Sequence, residues 1–288
     1  MDNYSDYWYH SSDGLRLYAR DYPCRATGKG NSATVLCMHG LTRNSADFAG
    51  LASHLCSDYR VLSVDQRGRG RSDYDSVAAN YTPLTYVQDM FGLLDRLQMR
   101  EVILVGTSMG GLMSFIMAAM QPARVRAMVI NDIGPEVDQR GLDRINSYVG
   151  KSKPVSNWAE AIAQVRSIAA VAFPDFTDEQ WRDFARDVYR EENGIPVLAY
   201  DPAISQPMDD ANAGAVPPDL WPVFESVAKV PMLVIRGESS DILSRECIEQ
   251  MRDRKRDLQV AEIPQRGHAP TLNEAASRAA IDSFLGAL

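Results

Sequence analysis

The sequence predicts an α/β fold in which a mostly parallel sheet is flanked by helices and interrupted by a helical insertion. Between residues 33 and 131, short β-rich runs alternate with longer helical stretches, an order typical of parallel strands joined by right-handed crossovers. After Pro135, helical stretches follow one another without a strong strand, and the alternation resumes near residue 232. We therefore divide the chain into a core at 1–134 and 224–288 and a helical cap at 135–223.

The predicted elements follow this division in order. The runs YWYHS and LRLYARDYP, separated by a Ser-Asp-Gly turn at 12–14, predict an antiparallel pair at the sheet edge. The rest of the first core part is read as the strand ATVLCMHG, a helix at 46–56, the strand RVLSVD, a helix at 84–97, the strand EVILVGT, a helix after Ser108 and the strand VRAMVIND. The cap contains predicted helices at 138–149, 158–170 and 178–190. A Pro-rich stretch at 217–224 leads to the strand PMLVIRG, the helix SRECIEQMRDR, the strand LQVAEIP and the helix NEAASRAAIDSFLGAL.

Composition restricts the class of protein. The 288 residues are 45% hydrophobic, enough to bury one large core plus an insertion. The net charge of -8, without a long Lys/Arg run, argues against a nucleic-acid partner. The acidic and aromatic N-terminus does not resemble an export signal, and no apolar run reaches the roughly 20 residues that cross a membrane. Scattered cysteines at 24, 37, 56 and 247 favour reduced thiols and a cytoplasmic location.

Two kinds of ligand are not expected. Gly68 and Gly70 superficially resemble a dinucleotide fingerprint, but Asp73 stands where the third glycine belongs and no helix is predicted there. No group of His, Cys and Asp residues has the spacing of metal ligands. We therefore expect neither a cofactor nor a metal.

The most informative motif surrounds Ser108. Gly106 and Gly110 flank this serine after an apolar strand and before an apolar helix, the context of a nucleophile elbow. A sharp strand-to-helix turn holds the serine in an unfavourable backbone geometry, and only glycines leave room beside it. The start of the helix also favours a developing negative charge. The pattern therefore predicts a nucleophilic serine.

A serine hydroxyl requires a base and a group that orients this base. Of the four histidines, His268 alone follows a strand end without belonging to another predicted element or motif. Asp241 follows the strand PMLVIRG, on the same predicted rim as Ser108 and His268. Asp132, after VRAMVIN, is an alternative acid, and Glu238 shares the loop of Asp241. We expect Asp241 to orient His268, while Asp132 would anchor a turn into the cap.

Four signatures together resemble the α/β-hydrolase fold superfamily over nearly the whole chain. They are His39-Gly40 after a strand, the loop DQRGRGRS at 65–72, the elbow at 106–110, and the late Asp241 with Gly267-His268. The resemblance implies an eight-stranded, mostly parallel sheet and makes the order Ser, Asp, His a catalytic triad. It also implies that the amides of Leu41 and Met109 form the oxyanion hole, whereas the loop at 65–72 stabilises the core.

The resemblance implies two-step acyl transfer to water on a small or medium apolar ester or lactone. A serine at the elbow argues against dehalogenases and epoxide hydrolases of similar fold, which use an aspartate there. Carbon-carbon hydrolases of ring-cleavage dienoates commonly carry a tryptophan after the histidine, where this chain has Ala269. A non-catalytic ligand receptor is a further alternative. We expect Met109 at the pocket floor and one or two of six cap aromatics to contact substrate: Tyr148, Trp158, Phe173, Phe176, Trp181 and Tyr189.

Overall fold

A single eight-stranded sheet forms the centre of the computed structural model, which describes residues 3–26, 33–207 and 219–288. The strands of this sheet run in the order β1-β2-β4-β3-β5-β6-β9-β10. Their bounds are Ser5–His10 (β1), Arg16–Tyr22 (β2), Thr34–Met38 (β3), Val61–Asp65 (β4), Val102–Thr107 (β5), Val125–Asn131 (β6), Met232–Gly237 (β9) and Gln259–Ile263 (β10). Two further strands, Tyr189–Glu192 (β7) and Ile195–Leu198 (β8), form a separate hairpin.

The predicted mostly parallel sheet is confirmed. The first two strands pair with each other antiparallel, and β2 also pairs antiparallel with β4, whereas all other neighbours are parallel. The carboxyl ends of the six parallel strands therefore lie at one edge of the sheet. In α/β folds, this edge is where ligands and catalytic side chains gather.

Helices cover both faces of the sheet. Their bounds are Ala49–Leu55 (α1), Pro83–Arg96 (α2), Met109–Met120 (α3), Gln139–Tyr148 (α4), Trp158–Ala169 (α5), Asp178–Val188 (α6), Trp221–Ser226 (α7), Arg245–Arg254 (α8) and Ala275–Gly286 (α9). Side chains alternate along β5, so that Ile103 packs toward α1 and α9, while Leu104 packs toward α2, α3, α7 and α8. This alternation buries the sheet on both faces, as parallel strands require.

The described chain between β6 and β9 contains α4, α5, α6, the β7-β8 hairpin and α7. Four aromatic rings pack together at its centre, those of Phe173, Phe176, Trp181 and Phe184. Part of the predicted cap, 208–218, lies outside the described residues, as does the start of the Pro-rich stretch.

The helix predicted over 178–190 is too long, because a β-hairpin begins before its predicted end. Helix α6 ends at Val188, and Tyr189 begins β7. Asn193 and Gly194 connect the two strands with φ angles of 52° and 80°. An Asn-Gly pair with positive φ at both positions is the preferred two-residue hairpin turn. The sequence therefore carried a hairpin signal that the helical pattern of the preceding residues obscured.

No helix among the described residues is both long and apolar enough to cross a membrane.

Candidate active site

Ser108 lies in the sharp turn between β5 and α3. Its φ and ψ angles are 52° and −114°, a backbone conformation that non-glycine residues rarely adopt. A Cβ atom at Gly106 would come within 2.2 Å of the Gly110 carbonyl oxygen, and one at Gly110 within 2.0 Å of the Met38 carbonyl oxygen. Both glycines are therefore required by close backbone contacts, as the sequence pattern predicts.

His268 follows β10 and reaches the Ser108 hydroxyl. Its Nε2 atom lies 2.9 Å from Ser108 Oγ, and its side chain is 8% exposed. The other ring nitrogen, Nδ1, lies 2.9 Å from Asp132 Oδ2. In neutral His268, a proton on Nδ1 donates to Asp132, and Nε2 is left to accept from the serine hydroxyl. The structure thus joins three side chains in one hydrogen-bonded chain.

Asp132 follows β6, and its side chain is fully buried. Oδ1 accepts a hydrogen bond from the Gly237 amide at 2.8 Å, and Oδ2 accepts one from the Ser240 hydroxyl at 2.7 Å. A buried carboxylate without such donors would be strongly destabilised. These two donors and His268 therefore hold the carboxylate in a fixed orientation against the imidazole.

Asp241 does not take the place that we expected for it. Its carboxylate accepts two hydrogen bonds from Arg144 on α4, at 2.5 Å from Nε and 2.8 Å from Nη2. Burial alone would raise the pKa of Asp241, but the bound guanidinium and the nearby His268 hold this pKa below its usual value. The residue that hydrogen-bonds His268 is instead Asp132, the alternative that also follows a strand end. The predicted pairing of Asp241 with His268 is thus corrected: an arginine from the inserted segment binds Asp241.

The loop after β3 lies beside Ser108. A Cβ atom added to Gly40 would lie 3.7 Å from Ser108 Cβ, so the Gly40-Leu41 backbone passes close to the serine. Among the described residues, no acceptor takes the Leu41 N–H, while the Leu41 carbonyl accepts from Arg69 Nε at 2.9 Å. Met109 is the first residue of α3, where amides have no partner within the helix. Both amides are therefore available to a ligand.

His39 is neutral and hydrogen-bonds the backbone of this loop. The Gln66 amide donates to His39 Nε2 at 3.1 Å, so the ring proton lies on Nδ1 and donates to the Gly40 carbonyl at 2.6 Å. Burial lowers the pKa of His39 to about 3, although the bond to Gly40 opposes this shift. A histidine held neutral in this way stabilises the loop backbone and does not exchange protons near neutral pH.

A cavity of about 230 Å³ opens over Ser108 and His268. The inserted segment supplies most of its apolar wall, which includes Ile145, Val165, Ile168, Phe184, Val188 and Leu198. Three of the six cap aromatics, Tyr148, Phe173 and Tyr189, line it and are the ones placed to contact a substrate, whereas Met109, expected at its floor, does not line it. Four charged residues also line the cavity, which sequence reasoning missed: Arg43, Asp47, Arg144 and Asp187.

Among the described residues, no group of three or more His, Cys, Asp or Glu side chains is arranged to hold a metal ion.

Comparison with known proteins identifies the family that this chain matches. The α/β hydrolase fold family matches residues 33–275. A 3-hydroxybutyrate-oligomer hydrolase of Cupriavidus necator is 36% identical over 261 residues, 88% of each chain. A 2-(acetamidomethylene)succinate hydrolase of Mesorhizobium japonicum is 32% identical over 241 residues, 83% of each chain. A crystal structure of an α/β hydrolase from Novosphingobium aromaticivorans superposes with a TM-score of 0.92 at 38% identity, covering 100% of both chains.

Proposed function

Since the chain belongs to the α/β hydrolase fold family, we propose that it is a serine hydrolase that cleaves a small or medium carboxylic ester or lactone. The observation that carries this proposal is the continuous hydrogen-bonded chain from Ser108 through His268 to Asp132. A strained serine, a histidine within hydrogen-bond reach and a buried carboxylate behind the histidine are the parts that nucleophilic acyl transfer requires.

Each residue of this chain has a distinct part in the reaction. Ser108 Oγ attacks the carbonyl carbon of the substrate while His268 Nε2 accepts the hydroxyl proton. His268 then gives this proton to the leaving alkoxide, which departs as the alcohol and leaves an acyl group on Ser108. Asp132 keeps the Nδ1 proton in place and stabilises the imidazolium. Water, activated by His268, releases the acid and restores the serine.

The amides of Leu41 and Met109 would stabilise the oxyanion that forms in both steps. Arg69 is fully buried and donates to the Leu41 carbonyl, so it fixes the peptide group that follows Leu41 and restricts the backbone that carries the Leu41 N–H. The N-terminus of α3 adds the positive end of its dipole at the same place. Loss of one such donor typically lowers kcat by about 10²–10³-fold.

Residues 135–223 would act as a cap that selects the substrate. This segment supplies the apolar wall of the cavity above Ser108, whereas the core segments at 1–134 and 224–288 supply the hydrogen-bonded chain. An apolar wall beside the nucleophile favours an acyl or alkyl chain of limited length. The Cupriavidus relative supports an ester substrate, since it is named for oligomers whose hydroxy acid units are joined by ester bonds.

The test is hydrolysis by purified protein of p-nitrophenyl esters of increasing chain length, of lactones and of a ring-cleavage dienoate. We expect ester turnover that falls at least about 10³-fold in Ser108→Ala. Ser114→Ala is the matched control, because this serine lies on α3 and its hydroxyl bonds the Gly110 carbonyl. Equal ester turnover in wild type and Ser108→Ala would contradict the proposal. Preference for the dienoate would instead indicate carbon-carbon cleavage, and ligand binding without any turnover would indicate a receptor.

A further inference from the structure

Two arginine side chains line the cavity, and the reaction proposed above uses neither of them. We propose that the substrate ester also carries a free carboxylate group and that Arg144 binds this group inside the cavity. The inference rests on the proposed ester hydrolysis, because it names the substrate class of the same site. It replaces a purely apolar substrate by one with an apolar body and an anionic end.

The guanidinium of Arg144 is placed and oriented for such a role. It lines the same cavity as Ser108, and its side chain is 27% exposed. Asp241 binds Nε and Nη2, so this carboxylate uses neither donor on Nη1, and the Tyr148 side chain, which also lines the cavity, is another group that interacts with the guanidinium. The ion pair also fixes the plane of the guanidinium, so that little conformational entropy is lost when a second carboxylate binds.

The arrangement of charges favours an anion at Arg144. Asp241, the carboxylate that pairs with Arg144, does not line the cavity, so a substrate carboxylate can reach the guanidinium from the cavity without lying against Asp241. A substrate carboxylate would thus meet a positive group in a partly apolar space, where charge-assisted hydrogen bonds are strong.

The second arginine is less suited to an anion. Arg43 donates to Asp47 through Nε and Nη2, and its guanidinium stacks on the Phe184 ring at 4.2 Å. Asp47 and Asp187 both line the cavity beside it. When both carboxylates are ionised, this end of the cavity carries a net negative charge and repels a substrate anion. We therefore assign the carboxylate site to Arg144 alone.

The apolar wall indicates where the rest of the substrate lies. Ile145, next to Arg144 on α4, lines the cavity together with side chains of α5 and α6. The reacting carbonyl would lie at Ser108, the carboxylate at Arg144 and the hydrocarbon between them against this wall. Half-esters of dicarboxylic acids and hydroxy acids acylated on their hydroxyl group both have this form.

The experiment measures kcat/KM for pairs of esters that differ only in the free carboxylate. In the first pair the free carboxylate is on the acyl side: the compounds are p-nitrophenyl hydrogen adipate and methyl p-nitrophenyl adipate. In the second pair it is on the alcohol side: the compounds are 3-acetoxybutyrate and its N-methylamide. For at least one pair, we expect the wild type to prefer the anionic ester at least about tenfold. Arg144→Gln should lower this preference by about 10–100-fold, chiefly through KM, because hydrogen bonds between charged groups are lost.

Two further variants separate this role from a structural one. Arg140→Gln changes an exposed arginine on the same helix that pairs with Asp138, and it should leave the preference unchanged. Arg144→Lys keeps a charge beside Asp241 but loses the planar fork, so an intermediate preference is expected. Equal losses on both members of each pair in Arg144→Gln and Arg144→Lys would overturn the proposal.

A binding measurement keeps this inference distinct from the proposed function. Calorimetry with monomethyl adipate compares Kd for Ser108→Ala and for the double variant Ser108→Ala/Arg144→Gln, in which the ester is bound without turnover. Weaker binding in the double variant, by about tenfold or more, supports the carboxylate site even if no ester is hydrolysed. Equal Kd values overturn the site, while Ser108-dependent hydrolysis of neutral esters would still uphold the proposed function.

Discussion

The hydroxyl of Ser240 lies 2.7 Å from Asp132 Oδ2, the oxygen that also binds His268. Ser240 Oγ in turn accepts hydrogen bonds from the Ile242 and Leu243 amides, at 3.2 and 3.1 Å. Because these two amides occupy the lone pairs of the hydroxyl, its single proton is directed to Asp132. Ser240 therefore fixes the orientation of the carboxylate that hydrogen-bonds His268.

Replacement of this serine tests the relationship directly. We expect Ser240→Ala to lower kcat/KM on p-nitrophenyl esters by about 10–100-fold, since a hydrogen bond to a charged group is lost. The loss should fall on kcat rather than on KM, because the Asp132 carboxylate then holds the imidazole of His268 less firmly while the lining of the cavity is unchanged. Both constants are measured on one p-nitrophenyl ester at a single pH.

Ser239→Ala is the control for this prediction. This neighbouring hydroxyl donates to the Arg266 carbonyl and, among the described residues, makes no hydrogen bond to Asp132. Its kcat and KM should both coincide with those of the wild type. A loss for Ser240→Ala that appears equally in Ser239→Ala, or that falls on KM alone, would indicate that the serine only stabilises the loop.

Removal of each candidate acid gives the second prediction. Asp132→Asn should lower kcat by up to about 10⁴-fold, because an asparagine favours the wrong imidazole tautomer. Asp241→Asn should lower kcat on a neutral ester less than about tenfold, since this carboxylate binds Arg144 rather than His268. The measurement is kcat of both variants on the same neutral ester. A larger loss of kcat in Asp241→Asn than in Asp132→Asn would identify Asp241 as the acid instead.

The sequence was sufficient to select Ser108 and His268, which the structure places within hydrogen-bond distance, but not to select the carboxylate that binds His268. Gly106 and Gly110 mark the elbow locally, and His268 was the histidine left at a strand end. Asp132 and Asp241 both follow parallel strands, so strand position alone does not separate them. What separates them is Arg144, which lies 97 residues from Asp241 in the sequence and reaches it from an inserted helix. Such a long-range ion pair leaves no local pattern.

The sheet was likewise easier to predict than the inserted segment. Core strands such as β5 are continuous apolar runs bounded by turns, and their burial on both faces follows from composition. The charged lining of the cavity could not be predicted, because Arg43 and Arg144 come from distant parts of the chain and their environment depends on packing. The β7-β8 hairpin could have been predicted from Asn193-Gly194.

A buried charge network in the core gives the third prediction. Arg67 is 1% exposed and hydrogen-bonds Asp13, Asp75 and Asp89, which joins the β1-β2 turn to the loop after β4 and to α2. Arg67→Met leaves these carboxylates without their shared cation. The free energy of unfolding, measured by urea denaturation, should fall by about 3–5 kcal/mol.

An exposed ion pair provides the comparison for Arg67. Arg245 is 62% exposed and pairs with Glu262 at 2.9 Å, so Arg245→Met should change the free energy of unfolding by less than about 1 kcal/mol. Similar losses in the two variants would mean that the Arg67 network contributes no more to stability than an exposed pair.

The fourth prediction concerns the pH dependence of stability. Burial, and then repulsion from Asp47, raise the pKa of Asp187 from 3.8 to about 6, although Arg43 opposes the shift. An acid whose pKa is raised on folding favours the folded state below its unfolded pKa, and this contribution is lost as pH rises through the folded pKa. At pH 7.5 the ionised Asp187 therefore destabilises the fold relative to a neutral residue.

Asp187→Asn should accordingly raise Tm at pH 7.5 by more than it does at pH 5. A change of about 1 kcal/mol moves Tm by roughly 2–4 °C in domains of 150–250 residues, so differential scanning calorimetry resolves the effect. Glu179→Gln, an exposed change on the same helix, should give the same difference in Tm at both pH values. A Tm difference for Asp187→Asn that is independent of pH would show that Asp187 titrates at its ordinary pKa in the folded protein.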